Sequence, residues 1–300
     1  MAACWCLPGA GASGEGREIV LCGRSWNPDV TALRCGFADD ITARDWKKLR
    51  RFRRLEALHL SLGPGIEDLS GLGRLKRLKR LTIEQAHDVV SIAWVSSLRR
   101  LEVFELWSSR VRDLRPLSRL RQLERLSLSE ARELEDVGSL GTLGGLEELS
   151  LSGTKVSDLT PLAGLKDLRT LRLGCEVREL GPVGRLTGLE KLHLCARSLR
   201  DLAPLRPLQK LKVLWISRAN GLDLAPVAEL TGLKLIDVRM SSVEHLASLQ
   251  KLPHLEKLRL CLLPDVRNDV RAIRRARRDI DVWEHNGCRA TVMPIRVTDP

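Results

Sequence analysis

The 300-residue chain has no tyrosine and only three phenylalanines, and with seven tryptophans its aromatic content is 3%. A deep core built around large rings is therefore excluded. Leucine must fill the interior, which suits thin stacked layers better than one thick globule. No stretch approaches the roughly 18 consecutive apolar residues of a membrane span. The opening MAACWCLPGAGASG lacks a basic segment ahead of an apolar one, and Pro and Gly break it, so it does not read as a secretory signal. The eight cysteines (Cys4, Cys6, Cys22, Cys35, Cys175, Cys195, Cys261 and Cys288) show no disulfide-module spacing. Cys4-Trp-Cys6 is not CxxC, and no second pair stands at zinc-site distance. The expectation is reduced thiols, no metal, no cofactor and a cytoplasmic location, most simply a bacterial one.

What is present is charge and leucine. Charged residues make up 29% of the chain and apolar ones 43%, the composition of a folded chain rather than a disordered one. The formal net charge is +12, a balance that favours acidic partners but is silent on fold.

Leu146 to Leu165, LEELSLSGTKVSDLTPLAGL, is the unit from which the rest is copied. Leu146, Leu149 and Leu151 fit a short strand with one buried face, and Leu159, Leu162 and Leu165 recur at the spacing of a 3₁₀ or tight helical turn. Aligned on the second strand leucine, the copies fall at Leu60, Ile83, Leu106, Leu128, Leu151, Leu173, Leu194, Ile216, Val238 and Leu260. Their steps are 23, 23, 22, 23, 22, 21, 22, 22 and 22 residues. LxxLxL at this period is the leucine-rich-repeat signature. Asp-Leu-x-Pro occurs four times, at Asp113–Pro116, Asp158–Pro161, Asp201–Pro204 and Asp223–Pro226. Its Asp can cap free N–H groups of the turn, and its Pro falls where a missing N–H costs nothing.

These motifs resemble the 22-residue internalin-like class of leucine-rich repeats over residues 55–263. The resemblance implies an α/β solenoid, an arc or horseshoe with a concave parallel β-sheet and convex 3₁₀ or short helical turns. About ten repeats lie between terminal caps. That class carries Asn or Cys eight residues after the first Leu, as a ladder to neighbouring backbones; here Ser109, Ala131, Thr154, Glu176, Arg197, Ala219 and Ser241 stand there, so a weaker ladder is expected. Residues 1–16 read as a flexible N-terminus and 17–54 as an N-terminal cap. Within that cap REIVLCG and VTALRCG can pair as strands, and a helix carries Ile41, Trp46, Leu49 and Phe52 with Thr42 as its N-cap. Residues 264–286 read as a C-terminal cap of helix and strand, with the arginines of that helix on its solvated face, and 287–300 as a tail.

In LxxLxL the residues between and just after the leucines point away from the core. They nominate a partner-binding face of Trp107, Arg172, Lys191, His193, Val213, Trp215, Leu235, Asp237, Arg239, Lys257 and Arg259. The first five repeats contribute Arg80, Glu84, Glu105, Arg125 and Glu148 to this face, whereas the last five are basic. Trp215 amid cations has the composition of an interface hot spot, and Trp107 marks a second anchor. Trp215→Ala and Arg239→Glu are expected to weaken binding without unfolding the chain. His193, Cys195 and Asp237 superficially form a Cys-His-Asp set, but i and i+2 side chains stand about 7 Å apart, too far for a nucleophile–base hydrogen bond. No P-loop or GxGxxG follows a suitable strand. The sequence therefore predicts no catalytic residues. It predicts a monomeric, non-catalytic scaffold or adaptor whose concave sheet binds a protein with an acidic segment. The alternative is nucleic acid on the basic half of the groove, which the few aromatics and the acidic first half disfavour.

Overall fold

A strand with leucine on one face and polar residues on the other needs a second layer to cover the leucines, and here the next repeat supplies it. The computed structural model describes residues 18–21, 24–35, 46–49, 51–261 and 266–285. A hairpin of β1 (Ile19–Leu21) and β2 (Arg24–Trp26) comes first, followed by β3 (Ala32–Cys35). The repeats then supply β4 (Ala57–Ser61), β5 (Arg80–Glu84), β6 (Val103–Leu106), β7 (Arg125–Ser127) and β8 (Glu148–Ser150). They continue with β9 (Thr170–Arg172), β10 (Lys191–Cys195), β11 (Val213–Ser217), β12 (Leu222–Asp223), β13 (Leu235–Arg239), β14 (Val243–Glu244) and β15 (Lys257–Cys261). Last comes β16 (Asp281–His285).

Twelve of these form one parallel sheet in chain order from β3 to β16, while β12 and β14 pair separately. The register is unbroken, so Leu58, Leu81, Phe104, Leu126, Leu149, Leu171, Leu192, Leu214, Ile236 and Leu258 make one inward column, none more than 2% exposed. Burying each is worth about 1.5–3 kcal/mol, and only stacking makes it possible. Opposite the sheet, 3₁₀ turns such as Arg115–Arg119 and Thr160–Gly164 bury Leu117 and Leu162. This is a leucine-rich-repeat solenoid.

The Asp caps are local and form as expected. Asp113, Asp158, Asp201 and Asp223 each accept the N–H two residues on, at 2.9, 2.8, 2.7 and 2.7 Å. Asp68 and Asp136 do the same without a following Pro.

The N-terminal cap differs from expectation. β1 pairs antiparallel with β2, and β3 instead joins the main sheet beside β4. Trp26 closes the hairpin by donating from Nε1 to the Leu21 carbonyl at 3.0 Å. Ile41 and Thr42 lie outside the described residues; among those described, one helical turn, α1 (Trp46–Leu49), precedes buried Phe52. At the other end α2 (Arg267–Ala276) covers the core with Val270 and Ile273, and β16 then adds a strand.

Repeat geometry breaks at the first repeat and again at the sixth and seventh. Two residues past the aligned apolar position, Gln85, Ser108, Glu130, Gly153, Arg218 and Met240 take positive φ, but Leu62, Cys175 and Ala196 do not. At the expected ladder position Ser109, Ala131, Thr154, Ala219 and Ser241 are buried, whereas Glu176 and Arg197 turn outward. The hydroxyl of Thr154 donates to the Leu151 carbonyl at 2.7 Å, and that of Ser241 accepts from the Ala219 N–H at 3.0 Å. Ser241 thus bridges to the neighbouring repeat, whereas Thr154 bonds within its own turn, the Ser109 hydroxyl is buried without a partner and Ala131 has none to offer.

Gly174, inside the irregular stretch, passes so close to the preceding repeat that a Cβ would lie 2.9 Å from the Thr154 carbonyl oxygen and 3.1 Å from that of Leu151. Gly164 faces open space. Gly174→Ala is therefore expected to lower stability by about 1–3 kcal/mol, and Gly164→Ala to leave it within about 0.5 kcal/mol. Urea melts of the two variants check this contrast.

Candidate partner-binding face

The predicted residues reach the open face because β9 to β15 are in register. One row runs Lys191, Val213, Leu235 and Lys257. The row beside it runs Arg172, His193, Trp215, Asp237 and Arg259. Trp107, just past β6, stands apart from both rows; its ring nitrogen is buried without a partner.

Within the face, His193 and Trp215 stack with ring centroids 3.7 Å apart and planes 15° from parallel. Burial, then the charges of Arg172, Lys191 and Arg239, push the His193 imidazole from its ordinary 6.5 down to about 2. It is neutral at any physiological pH, and its Nε2 is buried without a partner. Arg172 is held below the usual arginine range by burial, against the pull of Glu148 and Glu105. Toward the N-terminal end, Glu105 accepts a hydrogen bond from the Thr82 hydroxyl at 3.0 Å. Desolvation raises its carboxyl, and Glu148 and Glu84 add to the rise.

Two expectations are corrected here. Arg239 is not a free cation: its Nε and Nη2 donate to the two oxygens of Asp237, each at 2.7 Å, and Asp237 is fully buried. Its side chain is long enough to fold back over a residue two positions away on the same face. Charge reversal at Arg239 therefore breaks a buried pair rather than testing binding. The cysteines are not all reduced either. Cys175 and Cys195 are joined by a disulfide across 20 residues, with their Cα atoms 4.6 Å apart, and Cys35 and Cys261 are disulfide-bonded as well. Spacing rules miss such a bond because the solenoid sets residues one repeat apart side by side. The inference to the cytoplasm, which leans on reduced thiols, loses that support, since such bonds persist mainly in oxidising compartments. The same bond disposes of the superficial catalytic set, because the Cys195 sulfur is bonded to Cys175 and the Asp237 carboxylate to Arg239.

One residue on this face escapes the repeat pattern. Trp283 of β16 aligns with Arg259 and is 49% exposed. The alternation in DVWEH marks a strand, but only the sheet places that strand beside the last repeat. Among the described residues no group of three or more His, Cys, Asp or Glu side chains is arranged to hold a metal, and no helix is long and apolar enough to cross a membrane.

No protein-family model matches the chain, and no curated protein matches it in sequence. Solved structures do. An internalin, InlF, from Listeria monocytogenes str. 4b F2365 has a TM-score of 0.61 and 20% identity, over 86% of this chain and 82% of that one. Internalin C2 from the same strain has a TM-score of 0.52 and 29% identity, over 58% and 76%. The chain shares the leucine-rich-repeat solenoid fold of these internalins. TLR13, solved in complex with ssRNA13, shares the fold at a TM-score of 0.60 and 24% identity; the match covers 73% of this chain and 34% of that chain.

The neutral state of His193 has a pH signature. Its folded pKa lies below its unfolded one, so below pH 6.5 the unfolded chain takes up a proton that the folded chain refuses. Stability is full above that pH and falls as pH drops. Between pH 7 and pH 5 this group removes about 2 kcal/mol. His193→Gln is expected to lose that much less than the wild type over the same interval, measured by urea unfolding. Equal losses would contradict a buried neutral imidazole.

Proposed function

We propose that the chain is a non-catalytic interaction scaffold that receives a protein partner on the concave sheet face of β9 to β16. The observation that carries this reading is Trp215, half-buried and stacked on His193, with unpaired cations to either side. A ring held in place by a neighbour presents area at little entropic cost, the property of an interface anchor. Trp107 is a second anchor on the far side of the small-residue stretch of Ser127, Ser129 and Ser150, whose hydroxyls are linked at 3.0 and 2.9 Å. The fold shared with internalins is consistent with an interaction role, and the protein acts as a monomer in this reading. Nucleic acid is the weaker alternative, because Glu84, Glu105 and Glu148 would repel phosphate along the first half of the face. Because the disulfides favour an oxidising compartment, partners from outside the cytoplasm belong in the search.

The test uses nuclease-treated host extract, including the secreted and surface fractions, passed over immobilised wild type, Trp215→Ala and Arg119→Glu. Arg119 is exposed on a turn opposite the sheet. The expected result is a protein retained by wild type and by Arg119→Glu but reduced at least about tenfold by Trp215→Ala. Loss confined to Arg119→Glu would place binding on the convex side, and retention abolished by nuclease would favour the alternative.

A further inference from the structure

The two rows of the binding face share one charge pattern. In the first, Lys191 and Lys257 bracket Val213 and Leu235, and β16 adds Asp281 beyond Lys257. In the second, Arg172 and Arg259 bracket a neutral centre, with Trp283 of β16 beyond Arg259: His193 is uncharged, Trp215 is apolar, and Asp237 is cancelled by Arg239. None of these four bracketing cations makes an ion pair among the described residues.

Their neighbours behave differently. One residue before the strands, on the rim, Lys212 meets Glu190 at 2.7 Å, Lys234 meets Glu256 at 3.1 Å and Arg169 meets Glu190 at 3.7 Å. The rim is neutralised and the face is not. Arg172 and Lys191 are half-buried cations with carboxylates nearby (Glu148 and Glu105, and Glu190) but no direct ion pair, so a carboxylate brought into contact by a partner would be favoured.

We propose that this face binds an acidic peptide segment of a partner protein, with carboxylates on both sides of an apolar side chain seated on Trp215 and Leu235. This rests on the concave-face reading and specifies its chemistry. Lys191 and Lys257 lie three strand steps apart, about 14 Å at ~4.8 Å per step. An extended chain crossing the strands covers that distance in about four residues. The carboxylates therefore stand about four residues apart with the apolar residue between them. A nucleic-acid strand would instead carry a phosphate at every nucleotide, including over the neutral centre.

A phage library of random 12-residue peptides panned on the full chain at 0.15 M salt tests this. Enriched peptides are then synthesised and measured against wild type, Lys257→Glu/Arg259→Glu, Lys191→Glu and Leu235→Ser, each checked for folding by circular dichroism. The expected peptides carry Asp or Glu on both sides of Leu, Phe or Trp. Affinity should fall at least about tenfold in each variant. Peptides without flanking carboxylates that still lose affinity in Leu235→Ser would overturn the charge pattern and leave the concave reading standing. Peptides bound equally by all variants would overturn both. Failure to enrich any peptide, or displacement of the enriched peptides by a dT12 oligonucleotide at lower concentration than by the peptides themselves, would overturn the acidic-segment proposal.

Discussion

Everything in this molecule depends on one constraint: a repeat of about 22 residues cannot bury its own leucines. Each layer is completed by the next, so the sheet must stay parallel and in register from β3 to β16. Register in turn decides which side chains share a row. The open face is a by-product of the core, set residue by residue by the column that runs through Leu149, Leu171 and Leu192. The ends need covering for the same reason, and the β1–β2 hairpin and α2 do this with Trp26, Val270 and Ile273.

An irregular stretch lies beside the binding face. Between Leu173 and Leu194 the repeat shortens, the left-handed residue disappears from two successive turns, and Glu176 and Arg197 swing outward. The disulfide between Cys175 and Cys195 ties two successive repeats together there, and Gly174 allows the backbone to pass tightly over Thr154. His193 and Arg172, whose charge states are most affected by burial in this half of the face, flank this stretch. A covalent tie at that point fixes the bed on which Trp215 stacks. Rigidity there reduces the ordering cost of binding.

Much of this is legible in the sequence because it is local or periodic. The leucine columns follow from period alone, and the Asp caps span two residues. What the sequence hides is what depends on contact between repeats or on reach. Cys175 and Cys195 are 20 residues apart, one short of the 21-residue step from Leu173 to Leu194, so alignment puts them in adjacent columns and does not pair them. Asp237 and Arg239 have the i, i+2 spacing usually taken as too wide to touch, and the length of the arginine overcomes it. Trp283 belongs to no repeat, and only the added strand brings it beside Arg259. The strand pairing of the N-terminal cap fails for the opposite reason: three short segments have similar patterns, and only the exposed edge of β4 selects Ala32–Cys35.

The most direct test of the central claim is hydrogen exchange, read by mass spectrometry, on the wild type and on Leu149→Asp, which puts a charge at a position 1% exposed. If each layer is completed by its neighbours, protection should fall in β8 and spread to β7 and β9, fading with distance in both directions along the stack. Loss confined to β8, with β7 and β9 as protected as before, would mean that the repeats are stable individually and would contradict the account.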